Sequence, residues 1–537
     1  MKRYTKITAI ILAAAMLCGC ERIPDDPNPS SGSESVVAFT VTSGEQNTDT
    51  FIPKDHIVVK QSFLKKFEAE KGAFNGTAKD ENGELQNPDD DGFVELRKGQ
   101  YLTQVATVST SQFYRVIISA RSTEGAAIKL QVGDIVEGSY FVPPSGNEEN
   151  GESGMENSFN LFAVDNLYMS VGMNTLKFTV ENGSADIDCV AVEDADAVSD
   201  DLYRTGDACV SANVSERTVK LMKLMSANYG KFVFTAQNVS CGTNAEIDAV
   251  FNETKRYPVI RVSELALTMK DDSHSEETIK NDLALADKWD EDGGICAYVW
   301  HWYSPNASRG TGVNDFDIQT VLNGIDPSEL AKLDEGGAQL QLDNGLLTQD
   351  AVSLLEDLDK LARTLKQLGD ADIPILFEPI PDGDCGLFWW GSGAESYRSL
   401  WILMFDRLTK YNKVNNLIWV WNNSDFDYYP GDDYVDIIGQ SFYEKSNSSF
   451  AGRFSALASD PKTGRKILAV TACDALPSVD CMFRDNAVWL WTAADSGEYM
   501  IDKTGKLSEK YTKKSALRNM YNNEKCITRD ELEALGF

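Results

Sequence analysis

The stretch 374–391, PILFEPIPDGDCGLFWWG, gathers the side chains best suited to chemistry. An apolar run (Ile373, Ile375, Leu376, Phe377) stops in Glu378, Asp382 and Asp384, and Phe388, Trp389 and Trp390 follow. Carboxylate pairs cleave glycosidic bonds, one protonating the leaving oxygen while the other attacks the sugar carbon or activates a water. Flat rings meet the C–H faces of pyranoses. These residue types point to glycan chemistry, with a carboxylate at a strand mouth and an aromatic floor beyond. Two more runs add to it: GGICAYVWHW (293–302), where His301 stands between Trp300 and Trp302, and NAVWLWTA (486–493), which carries Trp491. Trp302, Trp390 and Trp491 are the expected stacking platforms.

Such groups need rigid elements to hold them. From 198 to 537 eight strand-like runs alternate with helical periodicities: KFVFTA (231–236), YPVIRV (257–262), GGICAYVWHW, PILFEPI (374–380), NLIWVWN (416–422), DIIGQSFY (436–443), KILAVTA (466–472) and NAVWLWTA. Leu354, Leu355, Leu358, Leu361, Leu365 and Leu368 trace one helical face between the third and fourth. Eight such repeats predict a (β/α)8 TIM barrel, whose site is built where its strands end. A doubly wound open sheet is the alternative, but no GxGxxG follows any strand to support a nucleotide site. All ten tryptophans fall in this half, most of them near predicted strand ends. Residues 36–197 differ: short alternating runs such as FYRVIISA (113–120), AAIKLQVG (126–133) and NTLKFTV (174–180), separated by turn residues, predict a β-sandwich. The expected fold class is multidomain, an N-terminal β-sandwich plus a C-terminal TIM barrel.

A net charge of −33 excludes nucleic acid as a partner, because neutralising phosphates takes basic clusters. The eight cysteines after Cys20 are scattered without a CxxC pair, so neither a zinc site nor a dense disulfide framework is indicated. At the start, Lys2, Arg3 and Lys6 precede a mostly apolar run over 7–17, too short to span a bilayer and suited to a secretory signal. Leu17-Cys18-Gly19-Cys20 resembles the bacterial lipobox. That resemblance makes 1–19 a lipoprotein signal peptide and Cys20 the lipidated residue, with the Pro/Ser/Asp-rich 20–35 as a flexible tether. The location it implies is the outer membrane of a Gram-negative cell, exposed at the cell surface, with a polysaccharide uptake complex as partner.

The runs GGICAYVWHW, PILFEPIPDGDCGLFWWG, NNLIWVWNNSDFDYYPGDDYVDIIGQSFY (415–443) and MYNNEKCITRDELEAL (520–535) together resemble glycoside hydrolase family 26, the endo-β-1,4-mannanases and related β-glucanases. The resemblance implies a retaining mechanism, with a Glu acid/base after the fourth strand and a Glu nucleophile after the seventh. Against the family's Phe-Arg-Pro-Leu-His-Glu, this chain reads Phe377-Glu378-Pro379-Ile380-Pro381-Asp382. Glu378 replaces the Arg, Pro381 the His, and Asp382 stands at the acid/base position, one methylene short. Where the family places its nucleophile after Thr or Ser, this chain has Thr471-Ala472-Cys473, so the position is Ala472. Tyr443 matches a Tyr that normally hydrogen-bonds the nucleophile, and His301 matches kept site furniture. A displacement of about 1 Å in a catalytic group costs on the order of 100-fold, and a missing nucleophile costs more. The reading favoured is a glycan-binding protein for β-mannan or a related β-glycan that has lost catalysis. Active hydrolysis by relocated acids, with Asp384 and Asp474 nearby in sequence, stays as the alternative.

In the N-terminal half FEAEKGAFNG (67–76), GFVEL (92–96) and NGSADIDCVAVE (182–193) resemble carbohydrate-binding module families 6 and 35. This resemblance implies that Glu68, Glu70 and Asp188 hold a structural calcium, an ion that favours hard oxygen ligands.

Overall fold

The computed structural model describes residues 40–43, 65–80, 92–144, 159–195, 198–306, 308–462 and 465–537. The expected signal peptide, the expected lipidation residue Cys20 and the expected tether lie outside the described residues.

The C-terminal half closes into a parallel barrel. Its strands are β1 (Val233–Asn238), β2 (Ile260–Glu264), β3 (Ile295–Trp300), β4 (Ile375–Pro379), β5 (Leu417–Asn422), β6 (Ile437–Phe442), β7 (Ile467–Cys473) and β8 (Trp491–Ala494). Neighbours in sequence are neighbours in space, and β1 pairs with both β2 and β8 to seal the ring. Strands buried on both faces need near-continuous apolar sequence, which is why LIWVWN and ILAVTA read as unbroken runs. The helix Gln349–Gly369 lays Leu354, Leu358, Leu361 and Leu365 against this wall, the face its spacing predicts. Only β8 departs much from expectation. Asn486 turns left-handed (φ 52°) and bonds Val198 and Asp200 through its side chain, so 486–490 leads into the strand without forming part of it.

The N-terminal half is an antiparallel strand-rich domain in two layers joined by one long strand, Gly172–Asp194. The first half of that strand pairs with Tyr101–Val108 and Ala126–Val132, the second with Gln112–Arg121, Phe93–Arg97 and Lys65–Glu68. Leu102, Leu130 and Phe178 from one layer meet Val116, Ile118 and Val190 from the other in a shared core. The domain touches the barrel near β6: Glu444 accepts from the Ser139 backbone N–H at 3.1 Å, and the Ser446 hydroxyl donates to the Val136 carbonyl.

Candidate functional site

A cavity of about 360 Å³ opens at the C-terminal ends of the barrel strands. Almost every strand sends a polar group to it: Asn238 from β1, Glu264 from β2, His301 after β3, Glu378 and Asp382 from β4 and its loop, Ser441 and Tyr443 from β6, Thr471 from β7, and Asp495 after β8, while β7 adds the methyl of Ala472. Val239, Val262, Val299 and Leu267 supply its apolar wall. Six of the residues singled out in the sequence therefore converge: Glu378, Pro381, Asp382, Ala472, His301 and Tyr443.

The β4 loop is bent by force. Ile380 and Asp382 both take left-handed backbone (φ 42° and 50°), which a β-branched residue adopts only under constraint. The constraints are visible. The Ile380 N–H donates to the Trp300 carbonyl, and its own carbonyl accepts from Tyr397 Oη at 3.0 Å. Trp390 Nε1 donates to the Pro381 carbonyl at 3.0 Å, and the Asp382 N–H donates to the Asn422 carbonyl at 2.9 Å. Glycines admit the fold-back: a Cβ on Gly391 would stand 1.8 Å from the Gly383 carbonyl oxygen. Asp382 is thereby aimed into the cavity.

Glu378 lies deeper, 6% exposed. Its Oε1 accepts from Asn422 Nδ2 at 2.8 Å and from the Thr471 hydroxyl at 3.2 Å. Burial, reinforced by the nearby Asp382 charge, pushes its carboxyl up to about 8. His301 Nδ1 stands 2.5 Å from Glu264 Oε2, and Glu264 Oε1 accepts the backbone N–H groups of His301 and Ala266. Burial works against charge on this imidazole, but the Glu264, Asp382 and Glu378 carboxylates prevail and raise its pKa.

The far wall carries no carboxylate at the end of β7. Ser441 pairs with Ala472 beside irregular register on both sides of β7, a local disruption that re-aims side chains. The Ala472 methyl packs on the cluster of Tyr443, Tyr499 and Tyr511. Tyr443 Oη instead donates to Asp495 Oδ2 at 2.7 Å, and Asp495 Oδ1 accepts the Ser496 N–H. The two acids nearest in sequence are engaged elsewhere. Asp384 Oδ2 accepts the Ser424 and Asp425 N–H groups at 2.8 Å each, and both Asp474 oxygens accept the Lys445 N–H at 3.1 Å. Neither lines the cavity.

The expected stacking floor needs correction. Trp302 and Trp390 are fully buried and Trp491 is 2% exposed. Trp302 donates Nε1 to Asp357 Oδ2, Trp390 holds Pro381, and Trp491 lies inside the barrel beside Glu378, Thr471 and Val420. With Phe388 stacked on Trp390 at 4.3 Å, these rings brace the strand-end loops and offer no open face to a sugar. The residues missed in the sequence are Glu264, Asp495 and Asn238. Each sits at or just past a strand end, and an acid closing YPVIRVSE or following WLWTAA is the signal that could have found the first two.

In the antiparallel domain Glu68, Asp188 and Cys189 bring one ligand atom each within 4.8 Å of one another. Glu70 stands outside that group but close by: both its oxygens are buried without a hydrogen-bond partner, with Lys71 Nζ 3.9 Å from one of them. Burial raises its pKa, and the Glu68 and Asp188 charges add to the rise. The Cys189 thiol is pushed up to about 12 by burial, which keeps it protonated and a poor ligand at neutral pH. An orphaned buried carboxylate beside two more fits a hard cation held by oxygens.

The family model described as glycosyl hydrolase family 26 matches residues 210–531. A mannan endo-1,4-β-mannosidase of Thermothelomyces thermophilus is 32% identical over 45% of this chain and 47% of its own length. Mannan endo-1,4-β-mannosidase B of a Piromyces species is 22% identical over 70% of this chain and 62% of its own. The chain thus spans between about half and three-fifths of these relatives. Among solved structures, a ruminal GH26 endo-β-1,4-mannanase superposes with a TM-score of 0.57 at 21% identity, covering 89% of this chain and 99% of its own. A Podospora anserina GH26-CBM35 β-(1,4)-mannanase gives 0.53 at 22%, covering 88% and 98%.

Proposed function

The chain belongs to glycosyl hydrolase family 26, and on that footing we propose that it is a binding protein for β-mannan or a related β-glycan that no longer cleaves it. What carries this reading is Ala472. A retaining mechanism needs a carboxylate about 5–5.5 Å from the acid, on the opposite side of the scissile bond. Here the end of β7 offers a methyl packed on tyrosines. The Tyr443 hydroxyl, which the family resemblance assigns to the nucleophile, is bonded to Asp495. Asp382 keeps a carboxyl on the other side without the His that Pro381 has replaced.

The antiparallel domain acts in this reading as a carbohydrate-binding module, with a structural calcium held by Glu68, Glu70 and Asp188. The ion would neutralise three clustered acids and supply folding energy, taking no part in chemistry. Lipidation at Cys20 anchors the protein in the outer membrane at the cell surface, where it passes glycan to an uptake complex. Release of a Cys20→Ala variant from the membrane fraction tests the anchor, and retention there would contradict it.

Affinity electrophoresis on galactomannan, glucomannan, mixed-linkage glucan and xylan tests binding. Retardation by a mannan without reducing-sugar release is expected. Sustained release abolished by Asp382→Ala would establish relocated catalysis instead, and retardation by none would leave a partner role without glycan affinity.

A further inference from the structure

The barrel cavity has an unbalanced wall. Glu264, Glu378, Asp382 and Asp495 reach it from three strands, and no Lys or Arg is among its lining residues. Its basic side chains are two histidines, His274 and His301, and His301 is already held by Glu264. A second observation concerns Asn238, 8% exposed in the same wall: its carboxamide Oδ1 is buried with no hydrogen-bond partner, although its Nδ2 donates to the Thr471 carbonyl. An acceptor left without a donor in a buried site is costly unless a bound molecule brings the donor. The wall is therefore rich in acceptors and asks for a ligand rich in donors.

A bare metal ion does not answer that description. Among the described residues the only group of three converging acid, His or Cys ligand atoms is the one around Glu68. The cavity's carboxylates are spread about a space in the range of small-ligand sites. An ammonium on a sugar ring suits it better. It brings three donors and no acceptor, its charge-assisted bonds to carboxylates are about twice as strong as neutral ones, and the ring's C–H surface meets the valines and Leu267. We propose that this cavity prefers a glycan unit bearing a free amine, an unacetylated hexosamine in β-1,4 linkage, over its neutral counterparts. The proposal rests on the reading of the barrel as a glycan-binding site.

The test is calorimetric titration of the full chain with three short β-1,4 oligomers, of glucosamine, of N-acetylglucosamine and of mannose, at low and high salt. The glucosamine oligomer should bind about tenfold tighter than the other two, the difference between charged and neutral hydrogen bonding. Asp382→Asn and, separately, Asp495→Asn should bring that advantage close to parity, read as the ratio of glucosamine-oligomer to mannose-oligomer affinity within each variant. Two substitutions guard against one misfolding variant. Equal affinity for glucosamine and mannose oligomers overturns the inference and leaves the glycan-binding reading intact. An advantage unchanged in both variants assigns the amine to the acidic outer surface and overturns it too. Binding of none of the three oligomers overturns the underlying reading as well.

Discussion

At the scale of single residues, the site depends on groups that sugar would never touch. Trp390 shows this most clearly. Its indole is buried and its Nε1 holds the Pro381 carbonyl beside the left-handed Asp382. Trp390→Ala should lower folding stability by about 3–5 kcal/mol, as other large buried rings do, read from a denaturant midpoint. Unchanged stability with weakened mannan binding would return Trp390 to a stacking role. Glu378 makes a second prediction. Its carboxyl sits at about 8 in the fold against an ordinary value of 4.5, so the folded chain holds a proton there that the unfolded chain has lost. That contribution to stability is full below about pH 4.5 and is lost as the pH rises through about 8. Melting temperature should therefore fall over this window, and Glu378→Gln should flatten the fall. A slope that the substitution leaves unchanged would assign it to other groups, such as Glu137, whose carboxyl burial also pushes up to about 8.

Elements were the most legible part of the sequence. All eight barrel strands stand within a few residues of their apolar runs, because strands covered on both faces must be apolar throughout. The leucines of Gln349–Gly369 face inward as their spacing requires. What sequence could not convey was direction. A tryptophan at a strand end reads the same whether its ring floors a cavity or packs beneath it, and burial of Trp302, Trp390 and Trp491 is settled by loops that arrive from elsewhere. Asp384 and Asp474 looked like spare acids, yet loop backbones from 424–425 and 445 occupy their oxygens. In the antiparallel domain, strand pairing sets Glu68 opposite Cys189 and so beside Asp188. If these acids and Glu70 hold calcium, chelation should lower the melting temperature of the parent and leave Asp188→Ala unmoved. An equal shift in both would place the ion elsewhere.

Over the whole molecule, two domains meet through buried charge. Glu444 accepts from Ser139 of the antiparallel domain and pairs with Arg453 of the barrel at 3.2 Å. Arg484 of the barrel lies over the Tyr168 ring, 4.4 Å from its centroid. Removing one partner of a buried pair leaves the other charge uncompensated, at a cost of about 3–5 kcal/mol. Glu444→Ala should therefore split a single calorimetric unfolding transition into two, and one unbroken transition would show that docking rests on other contacts.

The barrel itself keeps the family's scaffold and a cavity at its mouth, and Ala472 stands at the position that the family resemblance assigns to the nucleophile. The most direct measurement is reducing-sugar release from galactomannan by the purified chain at a concentration where affinity electrophoresis shows the polysaccharide bound. Retardation is expected, with product no greater than that from an Asp382→Ala variant. Release well above that variant's would contradict it.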